Sequence, residues 1–209
     1  MPDDEIYKYE NGRARPFMSV NIKWQTFKLT EADRAKIKHQ QPLCLWMTGL
    51  SGAGKSTLAN ALEEKLNQLG KHTYILDGDN LRHGLNQDLG FSMEARNENV
   101  RRAAEVARLM VDAGLIVIVG LISPLKAERD HARSLFAVNQ FKEIYLSTSL
   151  TECEKRDVKG LYQKARSGDL KDFTGIDSPY EAPEAPEIEL NTENLTIDEA
   201  VDVIVKAIL

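Results

Sequence analysis

The sequence predicts an α/β fold in which roughly five mostly parallel strands are wound on both faces by helices. Three observations carry this expectation. The apolar run at 43–48 leads into Gly49-Leu50-Ser51-Gly52-Ala53-Gly54-Lys55-Ser56-Thr57, and a helical pattern opens at Leu58. Apolar runs and stretches of helical period then alternate along the chain. The run at 115–119 is apolar throughout and β-branched at four of its five positions, as a strand covered on both faces requires.

Residues 1–20 show no periodicity and read as an N-terminal extension to a domain spanning 21–209. Thr30-Glu31-Ala32-Asp33 has the form of a helix start, and that helix runs to about 40. Pro42 then releases the chain into the first strand, 43–48. The helix at 55–69 ends at Gly70, and a strand at 73–76 leads into Asp77-Gly78-Asp79. In the helix at 94–113, Val100, Ala103, Ala104, Ala107, Met110 and Val111 recur on one face, and Gly114 stops it. A helix at 127–137, a strand at 143–147 and a helix opened by Thr151-x-x-Glu154 continue the alternation. The polar stretch 159–186 breaks the rhythm before a strand at 188–190 and a helix opened by Thr196-x-x-Glu199.

The 209 residues are 42% hydrophobic and 28% charged, enough to build a core and typical of a globular chain. A formal net charge of -5 argues against non-specific binding to nucleic acid or to an anionic membrane. The longest apolar stretch, 115–122, is too short to span a bilayer, and the acidic N-terminus does not have the form of a signal peptide. Cys44 and Cys153 lie inside a predicted strand and a predicted helix, without disulfide or zinc spacing, so the expected location is the cytoplasm. Basic runs such as Lys126, Arg129 and Arg133 read mainly as solvated helix faces.

A glycine-rich loop between a strand and a helix, ending in Lys-Ser, is built to cradle phosphates. Glycines allow successive backbone N–H groups to turn inward, and the helix N-terminus adds its dipole. Lys55 supplies a point charge to the outer phosphates, and Ser56 offers a hydroxyl to a magnesium ion. The expected ligands are ATP and Mg2+. Because ligands sit beyond the carboxyl ends of parallel strands, the loop, Asp77–Asp79 and Ser123-Pro124 are expected on one edge. There Asp79 orients or deprotonates an attacking hydroxyl and reaches the metal; for Asp77 this role and a simple Asp-Gly turn stand equal. Ser123 reads either as a turn residue or as a hydroxyl held in extended backbone by Pro124. Arg96, Asn99 and Arg102 share a helix face and are placed to present donors to an anion. No Asn-Lys-x-Asp string occurs, which disfavours a GTPase, and these features do not identify the phosphoryl acceptor.

Further strings narrow the acceptor. They are Leu76-Asp77-Gly78-Asp79-Asn80-Leu81-Arg82-His83-Gly84-Leu85, Asp88-Leu89-Gly90-Phe91-Ser92, Arg96-Asn97-Glu98-Asn99-Val100-Arg101-Arg102 and Ile122-Ser123-Pro124. They continue with Arg156-Asp157-Val158-Lys159-Gly160-Leu161-Tyr162, Phe173-Thr174-Gly175-Ile176-Asp177 and Tyr180-Glu181-Ala182-Pro183-Glu184. Together with the loop they resemble the adenylyl-sulfate kinase family of P-loop NTPases, in order from about residue 21 to the end.

The resemblance implies transfer of phosphate from ATP to the 3′-hydroxyl of adenosine 5′-phosphosulfate, giving 3′-phosphoadenosine 5′-phosphosulfate and ADP in sulfate assimilation. It implies that Asp79 lies beside the acceptor hydroxyl and magnesium, and that Arg82, Arg96 and Asn99 clamp the phosphosulfate and ribose. Phe91 and Phe173 resemble an aromatic pair enclosing the acceptor's adenine, with Ile122, Ser123, Lys159 and Leu161 completing the site. Arg156 resembles a residue stacking on the donor adenine, and 159–177 resembles a lid. Ser123 matches a serine often assigned as a phosphoserine intermediate, although direct in-line transfer needs only positioning and charge neutralisation. The chain departs from the family in carrying Leu125-Lys126 where an aromatic residue or His followed by Arg often stands, so the guanidinium fork is lost there. A homodimer and functional coupling to ATP sulfurylase are further implications, with no room in the chain for a fused sulfurylase domain. The alternatives are another small-molecule P-loop kinase and a catalytically silent product sensor, which should have lost Lys55 or Asp79.

Overall fold

In the computed structural model, residues 7–10, 13–16, 23 and 25–209 are described. Near the N-terminus β1 (Tyr7–Glu10) and β2 (Arg13–Pro16) pair antiparallel, with Glu10 opposite Arg13. No periodicity in residues 1–20 announces these strands; the rest of the expected extension lies outside the described residues. Chain contacts separate Met1–Thr30 from a larger unit, Glu31–Leu209.

The larger unit opens with α1 (Glu31–Lys38) and continues as β3 (Leu43–Thr48), α2 (Lys55–Gln68), β4 (Thr73–Asp77) and α3 (Gly78–Arg82). Next come α4 (Met93–Asp112), β5 (Ile116–Gly120), α5 (Lys126–Ser134), β6 (Phe141–Leu146), α6 (Leu150–Arg156) and α7 (Leu161–Arg166). β7 (Ile188–Leu190) and α8 (Ile197–Ile208) close the chain. The five strands form one parallel sheet in the order β4-β5-β3-β6-β7. The fold is the predicted one. The chain leaves β3 toward β4, returns to β5, and only then crosses to β6, so the order reverses beside β3, where such sheets bind ligands.

Strand alternation divides the core in two. Leu45, Met47, Ile116 and Ile118 face α2 and α8 and pack with Leu62, Leu66, Val201 and Ile204. Cys44, Trp46, Val117 and Val119 face the other way, toward α4. There Ala103, Ala104 and Ala107 are wholly buried, and their small side chains let the helix lie close against the sheet. Among the described residues no helix is long and apolar enough to cross a membrane.

Local details differ from the sequence reading. The α6 cap is Ser149, whose hydroxyl accepts from the Glu152 amide, and Thr151 lies inside the helix. Both Ser149-x-x-Glu152 and Thr151-x-x-Glu154 fit a start; Glu193 selects the first by accepting from the Ser149 amide at 2.7 Å. β6 begins earlier than expected because Phe141 pairs with Cys44 and stacks on Trp46. Arg82 ends α3, a short helix that the sequence reading did not anticipate and that Asp77 caps by accepting from the Asp79 and Asn80 amides.

Candidate active site

Three adjoining strands deliver the site. Met47 and Asp77 both lie opposite Gly120, so the segments following β3, β4 and β5 emerge level on one edge. After β3 the chain turns sharply at Gly49, whose φ is +151° and whose added Cβ would meet the Leu146 carbonyl at 2.8 Å. Only glycine fits there. Gly54, at φ +100°, starts α2 and points the helix N-terminus into the loop. Lys55 folds into the same loop and donates to the Gly49 and Leu50 carbonyls at 2.8 and 2.7 Å. Burial pushes its pKa down to about 8, partly offset by Asp77 and Asp79.

Ser56 donates to Asp77 Oδ2 at 2.7 Å, joining the loop to the end of β4. Asp77 is thus both helix cap and partner of the loop serine. Asp79, two residues on, is ion-paired with Lys159. Arg156 reaches back over the loop, donating to Thr192 and, at 3.5 Å, to the Gly52 carbonyl.

Arg82 and Arg96 converge on Phe91. Arg82 donates to the Leu89 and Gly90 carbonyls, with its guanidinium 4.5 Å from the Phe91 ring centre. Arg96 donates to the Phe91 carbonyl at 2.9 Å and to Thr174 Oγ1 at 2.9 Å, linking α4 to the predicted lid. Phe91 itself is 63% exposed, whereas Phe173 is 6% exposed and sits edge-on against Tyr162, 4.9 Å between centres. The expected aromatic partners therefore have opposite surroundings. Asn99 is buried, and its Oδ1 accepts from Asn86 Nδ2 at 2.9 Å. Arg102 does not join the anion-facing set: Asp88 and Glu98 occupy its guanidinium.

Ser123 is 2% exposed with φ +39°, not the extended backbone expected before proline. Two contacts hold it there: Trp46 Nε1 donates to its hydroxyl at 3.1 Å, and Arg129 donates to its carbonyl at 2.8 Å. The neighbouring Ile122 carbonyl accepts from Thr48 at 2.7 Å. Leu161 packs half-buried against the main core. Lys126, where the family often has arginine, turns away to pair with Asp130.

Several site-forming residues escaped the sequence reading. Arg129, read there as part of a solvated face, is 3% exposed and joins Ser123 to Glu143 and to the Glu181 carbonyl. The Glu181 amide donates to the Pro124 carbonyl at 2.8 Å, so 178–181 is strapped across the Ser123 turn. Tyr180 bonds Thr48 at 2.9 Å, and burial pushes its phenol pKa up. A cavity of about 280 Å³ lies between Phe91, Arg96, Pro124 and Leu125, and one of about 460 Å³ between Leu50 and Gly175–Tyr180.

Comparison with known proteins agrees with this geometry. The chain is 55% identical over 187 residues to an adenylyl-sulfate kinase of Oceanobacillus iheyensis, covering 90% of this chain and 94% of that one. It is 59% identical over 182 residues to the bifunctional enzyme NodQ of a Rhizobium strain, of which it spans only 28% while 87% of this chain is matched. Among solved structures, the Mycobacterium tuberculosis APS kinase CysC in complex with AMPPNP and APS superposes with a TM-score of 0.77 at 48% identity, covering 80% of this chain and 98% of that one. Residues 41–191 match the profile of the Adenylylsulphate kinase family, and the chain belongs to that family.

Proposed function

We propose that this protein phosphorylates the 3′-hydroxyl of adenosine 5′-phosphosulfate with ATP, producing 3′-phosphoadenosine 5′-phosphosulfate and ADP. The observation that carries the reading is the arrival of the phosphate loop, Asp77–Asp79 and the Ser123 turn on one edge of three adjoining strands in a chain of this family. ATP lies along Gly49–Thr57, where the backbone amides and Lys55 meet its phosphates and Arg156 its adenine. The acceptor lies against Arg82, Phe91, Arg96 and Asn99, with Ile122, Ser123, Lys159, Leu161 and Phe173 closing the site. Asp79 takes the proton of the attacking hydroxyl, and Lys159 beside it meets the acceptor's charge.

The Ser56–Asp77 pair and the Asp79 carboxylate offer only hard oxygen donors, a set that suits Mg2+, which needs one or two protein oxygens beside phosphate and water. Bound there, the ion supplies charge neutralisation on the transferring phosphoryl group. Phosphoryl transfer is direct, with no obligatory phosphoserine: among the described residues no carboxylate or imidazole accepts from the Ser123 hydroxyl. The kinase domain spans 21–209, with 159–177 as its lid.

A cytoplasmic location is supported by two buried free thiols, Cys44 and Cys153. A homodimer is supported by the family resemblance together with the exposed apolar side chains Ile37 and Leu109. Because the acceptor is a mixed anhydride of AMP and sulfate, an adenylyl transfer to sulfate must supply it, which is the basis for coupling to ATP sulfurylase.

Incubation with γ-labelled ATP and adenosine 5′-phosphosulfate tests the assignment. Label is expected at the 3′ position of the product; label in inorganic phosphate alone would reject the reading.

A further inference from the structure

Trp46 lies on β3, wholly buried, with its ring stacked on Phe141 at 5.8 Å between centres. Packing explains the ring but not the direction of its one polar atom. The indole N–H is a donor only, and it is spent on Ser123 Oγ at 3.1 Å. Ser123 is held by its backbone as well, through Arg129 on its carbonyl. Its hydroxyl therefore has neither freedom of position nor freedom of role. One lone pair is engaged by Trp46, the indole offers no acceptor in return, and no described residue takes the serine proton. That proton is left for a ligand.

We propose that Trp46 is a positioning residue that fixes the Ser123 hydroxyl as a hydrogen-bond donor to an oxygen of the bound acceptor. This rests on the functional reading above and assigns it a residue outside the loop and arginine motifs. The same contact draws electron density from Oγ and makes the serine a poor nucleophile. Trp46 thereby ties the strand that launches the phosphate loop to the turn that meets the acceptor.

A double-mutant cycle separates this role from packing. Trp46→Phe keeps most of the ring and removes the N–H. It should raise the KM for adenosine 5′-phosphosulfate by about three- to tenfold, the range of one neutral hydrogen bond, with ATP affinity changed less than about twofold. In the Ser123→Ala background the same substitution should produce no further rise. An equal rise in both backgrounds would mean that Trp46 acts by packing, and the proposal would fail. A second readout does not depend on turnover. The chain has two tryptophans, so the indole resonance lost in Trp46→Phe identifies Trp46 in a 1H–15N spectrum. Ser123→Ala should shift that resonance in the ligand-free wild-type background; if neither of the two indole resonances moves, the contact is overturned even if Trp46→Phe does not fold. Absence of acceptor phosphorylation by the wild-type protein, with the resonance shift intact, would instead reject the functional reading on its own.

Discussion

The Tyr162 hydroxyl donates to the Ser51 carbonyl at 2.9 Å, fastening α7 of the predicted lid to the phosphate loop. Tyr162 is 1% exposed, and Phe173 from the far end of that segment packs against its ring. At its base, Asp157 accepts from the Tyr162 and Gln163 amides. The beginning and end of the segment are thus anchored in the core beside the nucleotide site. Tyr162→Phe removes one bond and leaves the packing, so we expect a stability loss of about 0.5–1.5 kcal/mol. Thermal denaturation with and without ATP should show a larger loss in the nucleotide-bound protein; equal losses would mean that the bond serves the fold alone.

Phe91 and Phe173 should behave differently. Phe173→Ala removes a buried ring and is expected to lower stability by about 3–5 kcal/mol. Phe91→Ala removes an exposed ring and should leave denaturation nearly unchanged while weakening acceptor binding. Calorimetric titration with adenosine 5′-phosphosulfate, beside a urea melt of each variant, distinguishes them. Undiminished acceptor binding by Phe91→Ala would remove that ring from the site.

Arg82→Ala and Arg96→Ala should each weaken acceptor binding by about tenfold or more, since a charge-assisted bond contributes about 1.5–3 kcal/mol. Part of the effect comes through Phe91, because both arginines hold its loop. ATP binding should change little when measured separately. A loss confined to ATP would reverse the assignment of the two subsites.

Lys55 gives a pH signature. Its pKa is lowered to about 8 by burial, so the ligand-free protein loses this proton as pH rises through that value. The unfolded chain keeps it up to about 10.5, hence stability rises with pH between the two. ATP favours the ammonium, so its affinity should fall across the same window and its binding should take up protons. Calorimetry at pH 9 in two buffers of different ionisation enthalpy measures the uptake. Lys55→Ala should abolish both the uptake and turnover; uptake that survives the substitution belongs to another group.

The sheet and its helices were legible because burial follows period: 43–48 is buried at every position, and the α4 alanines recur at helical spacing. The loop was legible because its backbone demands glycine. What escaped depends on contacts distant in sequence. Arg129 looks like any exposed helical arginine until Glu143 and two carbonyls surround it. The positive φ of Ser123 opposes the local preference before proline, and Trp46 and Arg129 hold it there. The α6 start needed Glu193, 44 residues away from Ser149, to choose between two equivalent strings.

Acceptor choice is the most direct test of the proposed activity. The measurement is kcat/KM for ADP release with adenosine 5′-phosphosulfate, AMP, shikimate and gluconate under identical ATP and magnesium. AMP carries the same adenine and ribose but lacks the sulfuryl anion that the proposed site sets against Arg82 and Arg96, so its value should be lower by about a hundredfold or more. Shikimate and gluconate should support no transfer above background ATP hydrolysis. Comparable values for adenosine 5′-phosphosulfate and any of the other three would contradict the assignment.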